Sequence, residues 1–222
     1  MLKITLEIMD KQKDIQNMLD RALINRMNKI VPKIASESRE AIVKVVEETI
    51  KNTKEVQSLK KADIRGELGL KAAWVSRAIN DIAASVSQTT SFRYKQFKKT
   101  GSKINGGITI EVQPADLKNV ISLASGQLTY MSSTYKTSVT LDWLEWLLKK
   151  GDAIIVGKFD FNLQPGTGRS GQGTMKRNVG GWRVPPSVAG TIDDNFITRA
   201  FDKQVQARIN SVIEESTRKL WG

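Results

Sequence analysis

The sequence predicts an α+β fold, and three observations carry that prediction. Two long stretches near the ends of the chain repeat apolar residues at spacings of three and four, which is the helical period. A middle stretch, "SFRYKQFKKTGSKINGGITIEVQP", alternates instead, with Phe92 and Tyr94 on one side and Arg93 and Lys95 on the other. The order is helices, then a small, mainly antiparallel sheet with one short inserted helix, then a helix, without the β-α-β alternation of a doubly wound fold.

The first helical stretch covers residues 11 to about 57. Ile15, Met18, Leu19, Ala22, Leu23, Ile30, Ile34, Ile42, Val45, Val46 and Ile50 form its stripe, with Lys, Arg and Glu between them. Pro32 lies inside the run and is expected to kink or break it. Residues 1–57 therefore read as a helical arm that packs on neighbours, or as a plain core helix, with residues 58–222 as an α+β body. Residues 58 to 67 read as a polar connector containing Gly66. A helix from about Leu68 to Gln88 follows, with Val75, Ile79, Ile82 and Val86 as its buried stripe.

The alternating stretch reads as a hairpin whose second arm includes Ile108 to Val112 and whose tip is basic and rich in glycine. Residues 118 to 138 read as a strand and an exposed loop. In "TSVTLDWLEWLLKKGDAIIVGKF", Thr140 is placed to cap a short helix. Asp142 and Glu145 then fall in its first turn, Lys149 and Lys150 in its last, and Gly151 stops it. Ala153 to Phe161 reads as a strand, and Trp182 to Val184 as its returning partner. The closing helix is expected from about Ile192 to Leu220, started by a capping-box-like Thr191 and Asp194.

Composition excludes several chemistries. The 222 residues contain no Cys and no His, so thiolate chemistry, disulfides, imidazole catalysis and His-ligated zinc are out of reach. A net charge of +12 points to polyanionic company or to a solvated basic face. The stretch "MLKITLEIMDKQKD" carries charges where a signal peptide needs an apolar core, and no run reads as a membrane span, so a cytosolic protein is expected.

The stretch "QPGTGRSGQGTM", residues 164–175, matches a dinucleotide fingerprint through Gly166, Gly168 and Gly171. That motif works only where a helix follows the glycines and offers its N-terminus to the phosphates. Here "TMKRNVGGWRV" follows, with Asn178, Gly180 and Gly181 set to interrupt a helix. A P-loop would need Lys and Ser or Thr where Gln172 and Gly173 stand. Neither a cofactor nor a metal is expected. The loop reads as a pliable connector, or as a segment ordering against a partner through Arg169, Lys176 and Arg177.

"FRYKQFKK" interleaves aromatics with Arg93, Lys95, Lys98 and Lys99, as surfaces for single-stranded nucleic acid do and as half-buried basic strands also do. Trp143 and Trp146 read as core. Trp221 reads as a contact with a neighbour.

Several of these parts, taken in order, resemble the tail-completion, or neck, proteins of tailed bacteriophages, in the broad grouping that includes minor tail protein Z. The early basic helix with "ALINRMNKIVPKIASESREAI" is similar to that family's helix in which small residues precede Ser, Arg and Glu. The strand leading into a basic Gly-rich loop is a second point of likeness. "DDNFITRAFDKQVQARI" is similar to the family's closing helix, although members often carry Pro where this chain has Arg199 and Ala200. The resemblance implies a non-enzymatic virion protein, α+β, made in the host cytoplasm. It implies a ring, usually of six copies, that caps the tail tube and joins it to the head connector. Its interface residues would include Arg169, Lys176 and Arg177 in the loop and Phe196, Arg199 and Phe201 on the last helix; the helix set is equally read as core. Since genomic DNA passes through such a ring, a strongly basic lumen would retain it. Much of the positive charge is therefore expected to face acidic neighbours, with few cations near DNA.

Overall fold

In a computed structural model the described residues are 11–61, 63–112, 116–131, 136–162, 168 and 173–221. The fold is α+β: long helices near both ends and three two-stranded antiparallel sheets. The chain divides into two units. The first joins residues 1–40, 91–110 and 211–222, and the second joins 41–90 and 111–210.

Helix α1 runs unbroken from Gln12 to Lys51, with Pro32 inside it. Pro32 costs the helix one backbone hydrogen bond, the one that would end on Asn28, while the turns on either side continue. Of the kink or break expected at Pro32, the break does not occur. In the first unit Ile34 is buried, and Ser38 folds back to donate to the Ile34 carbonyl at 2.8 Å. Strands β1 (Ser91–Thr100) and β2 (Lys103–Glu111) form the predicted hairpin. Gly101 opens the turn at φ +61°, a backbone region that side-chain-bearing residues rarely adopt. Side-chain contacts hold β1 to α1. Lys99 pairs with Asp20 at 2.7 Å, Asn28 binds the Phe97 peptide unit, and the Arg39 guanidinium lies 5.4 Å from the Phe92 ring centre.

The second unit holds every buried apolar side chain of the described residues except Ile34. The stretch read as a polar connector folds into α2 (Lys54–Lys61) and α3 (Asp63–Glu67). Val56, Leu59 and Ile64 are buried there, so three well-spaced apolar residues outweigh the charged letters around them. Leu68 and Leu70 are buried in the turn before α4 (Ala72–Gln88), whose expected stripe of Val75, Ile79, Ile82 and Val86 is fully packed. Beyond β2 come α5 (Lys118–Ile121), a turn of 3-10 helix and β3 (Leu128–Met131). Strand β3 pairs with β4 (Ser138–Leu141). Thr140 therefore faces Thr129 across a strand pair, and Asp142, not Thr140, precedes α6 (Trp143–Lys149). Trp143, Leu144, Leu147 and Leu148 of α6 are fully buried, and the Trp143 ring meets Trp74 edge to face at 6.1 Å.

Strands β5 (Val156–Asn162) and β6 (Thr174–Trp182) make the last sheet. The return strand starts at Thr174 and ends at Trp182, the residue at which it was expected to begin. The single closing helix is two, α7 (Phe196–Ala200) and α8 (Lys203–Trp221). Asn195 caps α7 by accepting from the Ile197 and Thr198 amides, and Asp202 accepts from those of Gln204 and Val205 at the start of α8. Thr191 and Asp194 form the turn just before, with the Thr191 amide donating to the Asp194 carbonyl.

Candidate docking surfaces

The Gly-rich stretch joins β5 to β6, so a strand, and no helix, follows its glycines. That removes the helix N-terminus on which a phosphate site of either nucleotide type depends. Arg169 and most of the stretch lie outside the described residues.

Lys176 and Arg177 lie on β6, opposite Asp160 and Phe159. Both are exposed, and neither forms an ion pair among the described residues. Between the Gly157–Gly181 and Phe159–Arg177 pairs the register slips, leaving Asn178, Val179 and Gly180 opposite Lys158 alone. Such a bulge re-aims side chains, and the irregularity is matched by Lys158 at φ +64°. The Asn178 amide reaches back to the Asp160 carboxylate, which closes the bulge on itself. Val179 is 99% exposed, while Phe159 and Met175 are each more than a third exposed. The pair is fixed at its base, where Trp182 is buried, meets Trp146 at 6.1 Å and donates to Glu67 at 3.1 Å. An isolated two-stranded ribbon is marginal in water, so this anchored base is what holds β5 and β6 in place. The result is a ribbon with apolar and cationic side chains turned to solvent.

The basic face expected on β1 is thinner than its letters suggest. Lys99 is committed to Asp20 and Asn17, and Arg93 also has a partner. The Lys99 hydrogen bond, followed by one from Gln16, holds the Asp20 carboxyl below its ordinary range. Lys95 and Lys98 are exposed and make no ion pair among the described residues.

Near the last helices, Phe196 is 1% exposed and belongs to the core, and Phe201 is half-buried at the end of α7. Arg199 bridges Glu55 at 2.7 Å and Asp194 at 3.1 Å. Burial lowers the Arg199 pKa, but the hydrogen bonds of Glu55 and Asp194 outweigh it, and the net shift is upward. These residues border a cleft of about 700 Å³ that Thr49, Asn52, Asp202 and Arg208 also line. No local pattern announces this cleft, since its walls come from α1, α2, α7 and α8. Trp221 is 36% exposed; its ring packs over Arg26 at 5.1 Å, and its carbonyl accepts from the same guanidinium at 2.7 Å.

Comparison with protein-family models, with curated proteins and with solved structures finds no match to this chain. Among the described residues no helix is long and apolar enough to cross a membrane.

Proposed function

We propose that this chain is a structural, non-enzymatic virion protein at the head-proximal end of a phage tail. It assembles as a ring, six copies being the expected number, that caps the tail tube and joins it to the head connector. The resemblance of "ALINRMNKIVPKIASESREAI" and "DDNFITRAFDKQVQARI" to tail-completion proteins motivates the reading. The observation that carries it is the β5–β6 ribbon. It is anchored by Trp182 and exposes Val179, Phe159 and Met175 beside Lys158, Lys176 and Arg177. Apolar anchors ringed by exposed cations suit a protein surface with acidic edges better than a duplex backbone, which offers phosphate but little apolar surface.

Light scattering of the purified chain and antibody-labelled electron microscopy of phage particles test the proposal. The expected result is a closed oligomer, or a monomer that assembles on tubes, with label at the tail's upper end. A strict monomer that is absent from particles overturns it.

A second reading, a nucleic-acid-binding protein, is favoured by one observation: Lys95 and Lys98 stand exposed on β1 and make no ion pair among the described residues. It requires binding of single-stranded DNA that weakens steeply between low and moderate salt and falls when both lysines are neutralised. Absence of binding at about 50 mM salt removes it.

A further inference from the structure

We propose that the cleft bordered by α2, α7 and α8 binds a small organic anion, a molecule with one apolar part and one acidic group. Its walls belong entirely to the second unit and to the described residues. This inference stands apart from the assembly role.

The floor and the rim of the cleft differ in chemistry. Thr49, Glu55, Phe196 and Val205 are its buried residues and form the floor. Both polar side chains among them are engaged within the fold. Thr49 Oγ1 donates to the Val45 carbonyl at 2.7 Å, and Glu55 accepts from Arg199 at 2.7 Å. What the floor offers a ligand is therefore the apolar surface of Phe196 and Val205, extended by the half-buried Ala200. Apolar surface of this kind gains from being covered, whereas polar groups already bonded gain little from new partners.

The rim carries both signs of charge, and they are not equally available. The Asp202 carboxylate caps α8, accepting from the Gln204 amide at 2.9 Å and the Val205 amide at 3.0 Å. With Glu55 held by Arg199, both acidic residues that line the cleft are committed. The cations are less so. Lys54, the first residue of α2, is exposed at the cleft. Arg208 gives one terminal nitrogen to Glu48 at 2.8 Å, and a guanidinium carries five N–H donors in all. An entering cation would have to displace Arg199 from Glu55 or the amides from Asp202. An entering anion meets donors ready to bind it. The ligand that satisfies both levels sets its acidic group beside Lys54 and Arg208 and its apolar part on Phe196 and Val205. A volume of about 700 Å³ lies within the range of pockets that hold small molecules, roughly 300–1,000 Å³, and is more than a bare phosphate ion fills.

The probe is 8-anilinonaphthalene-1-sulfonate, an apolar ring system bearing one anionic group. Titrated into the isotope-labelled full chain under native conditions, it should shift the Ala200, Val205 and Arg208 amides in a saturable way, with a dissociation constant below about 1 mM. N-phenyl-1-naphthylamine, the same body without the sulfonate, should bind at least about tenfold more weakly, the effect of losing a charge-assisted hydrogen bond. Lys54→Glu should weaken the sulfonate by a similar factor and leave the melting temperature unchanged, because an acidic residue suits the first turn of a helix. Displacement of the probe by octanoate or by phenyl phosphate supports the proposal and tells which acidic group the cleft prefers, while displacement by neither overturns it. Shifts confined to other surfaces, such as Met18 and Leu19 of α1, also overturn it. So do equal affinity for the uncharged compound and full affinity in Lys54→Glu. The shift map and the uncharged compound are read on the wild-type chain, so they decide the matter even if the variant fails to fold.

Discussion

Asn28 and Phe97 are joined as two strand residues would be. The Asn28 carboxamide accepts from the Phe97 amide at 2.7 Å and donates to the Phe97 carbonyl at 3.2 Å, so a helical side chain takes the place of a neighbouring strand. Tyr94 Oη donates to the same Asn28 oxygen.

Asn28→Ala removes all of these bonds and leaves the Phe97 peptide unit and the Tyr94 hydroxyl to find water. At about 1 kcal/mol for each net hydrogen bond, the expected loss is about 2–3 kcal/mol. Asn28→Asp keeps the shape and the acceptor but turns an anion toward the Phe97 carbonyl. It should also destabilise at neutral pH and recover partly in acid. Urea midpoints for the three proteins check this, and an Asp variant as stable as wild type would mean that packing, not pairing, holds β1 on α1.

The Lys99–Asp20 pair gives a pH dependence of definite sign. Hydrogen bonds from Lys99 and then Gln16 place the Asp20 pKa below its ordinary value of 3.8 in the folded chain. A carboxyl whose pKa is depressed by folding adds stability above that ordinary value and loses it as pH falls through the folded one. The stability gap between wild type and Lys99→Met should therefore be present at neutral pH and shrink below pH 3.8. It should also narrow in high salt, because the pair lies near the surface. Denaturation curves across pH 2–7 would show a constant gap if the lysine acts only through its stem.

Arg199→Ala should expose the cost of Glu55, whose side chain is only 8% accessible and would lose its cation. Removing one partner of a buried pair costs about 3–5 kcal/mol, and the half-exposed Arg199 lowers the expectation to about 2–3 kcal/mol. Arg199→Ala combined with Glu55→Gln should regain part of the loss, since the double variant buries no charge. Thermal melts of both variants decide this, and an equal loss in the double variant would refute the account.

On the β5–β6 ribbon, Val179→Asp and the pair Lys176→Glu with Arg177→Glu should leave the melting temperature within a few degrees of wild type. Exposed side chains away from packed features change stability by about 0.5 kcal/mol or less. The same variants should abolish assembly on tail tubes in a co-sedimentation assay. Normal assembly by both would separate the ribbon from the proposed joining role.

The elements that were legible in the sequence are those in which one period runs undisturbed. Val75, Ile79, Ile82 and Val86 mark α4, and the alternation from Phe92 marks β1. The break between α7 and α8 was hidden because Phe201 and Val205 keep the helical spacing across it. The sign of it was Asp202, an N-cap residue type three positions before Val205. Lys99 looked like one more free cation on a basic strand, since nothing in its neighbourhood announces a bond to Asp20, 79 positions away. The ribbon's bulge was equally hidden, because Asn178 and Gly180 read as helix breakers whether or not a strand slips there. For the docking surfaces, residue type was legible and availability was not.

The clasp between Arg26 and Trp221 joins residues 195 positions apart. It sets an order of events during synthesis. Helix α1 emerges from the ribosome with Ile24, Met27, Ile30 and Ile34, which the finished fold covers in part or in full, still open to water. Its hairpin follows some 70 residues later, and its clasp only when residue 221 has been made. At 5–20 residues per second that is a wait of roughly 10–40 s. Throughout it, the N-terminal half of α1 is an amphipathic helix with incomplete cover, a natural client for a chaperone that holds nascent chains. A fusion or deletion that disturbs residues 211–221 would prolong that window, so the yield of soluble chain should be more sensitive to changes there than to changes in the loop between β5 and β6.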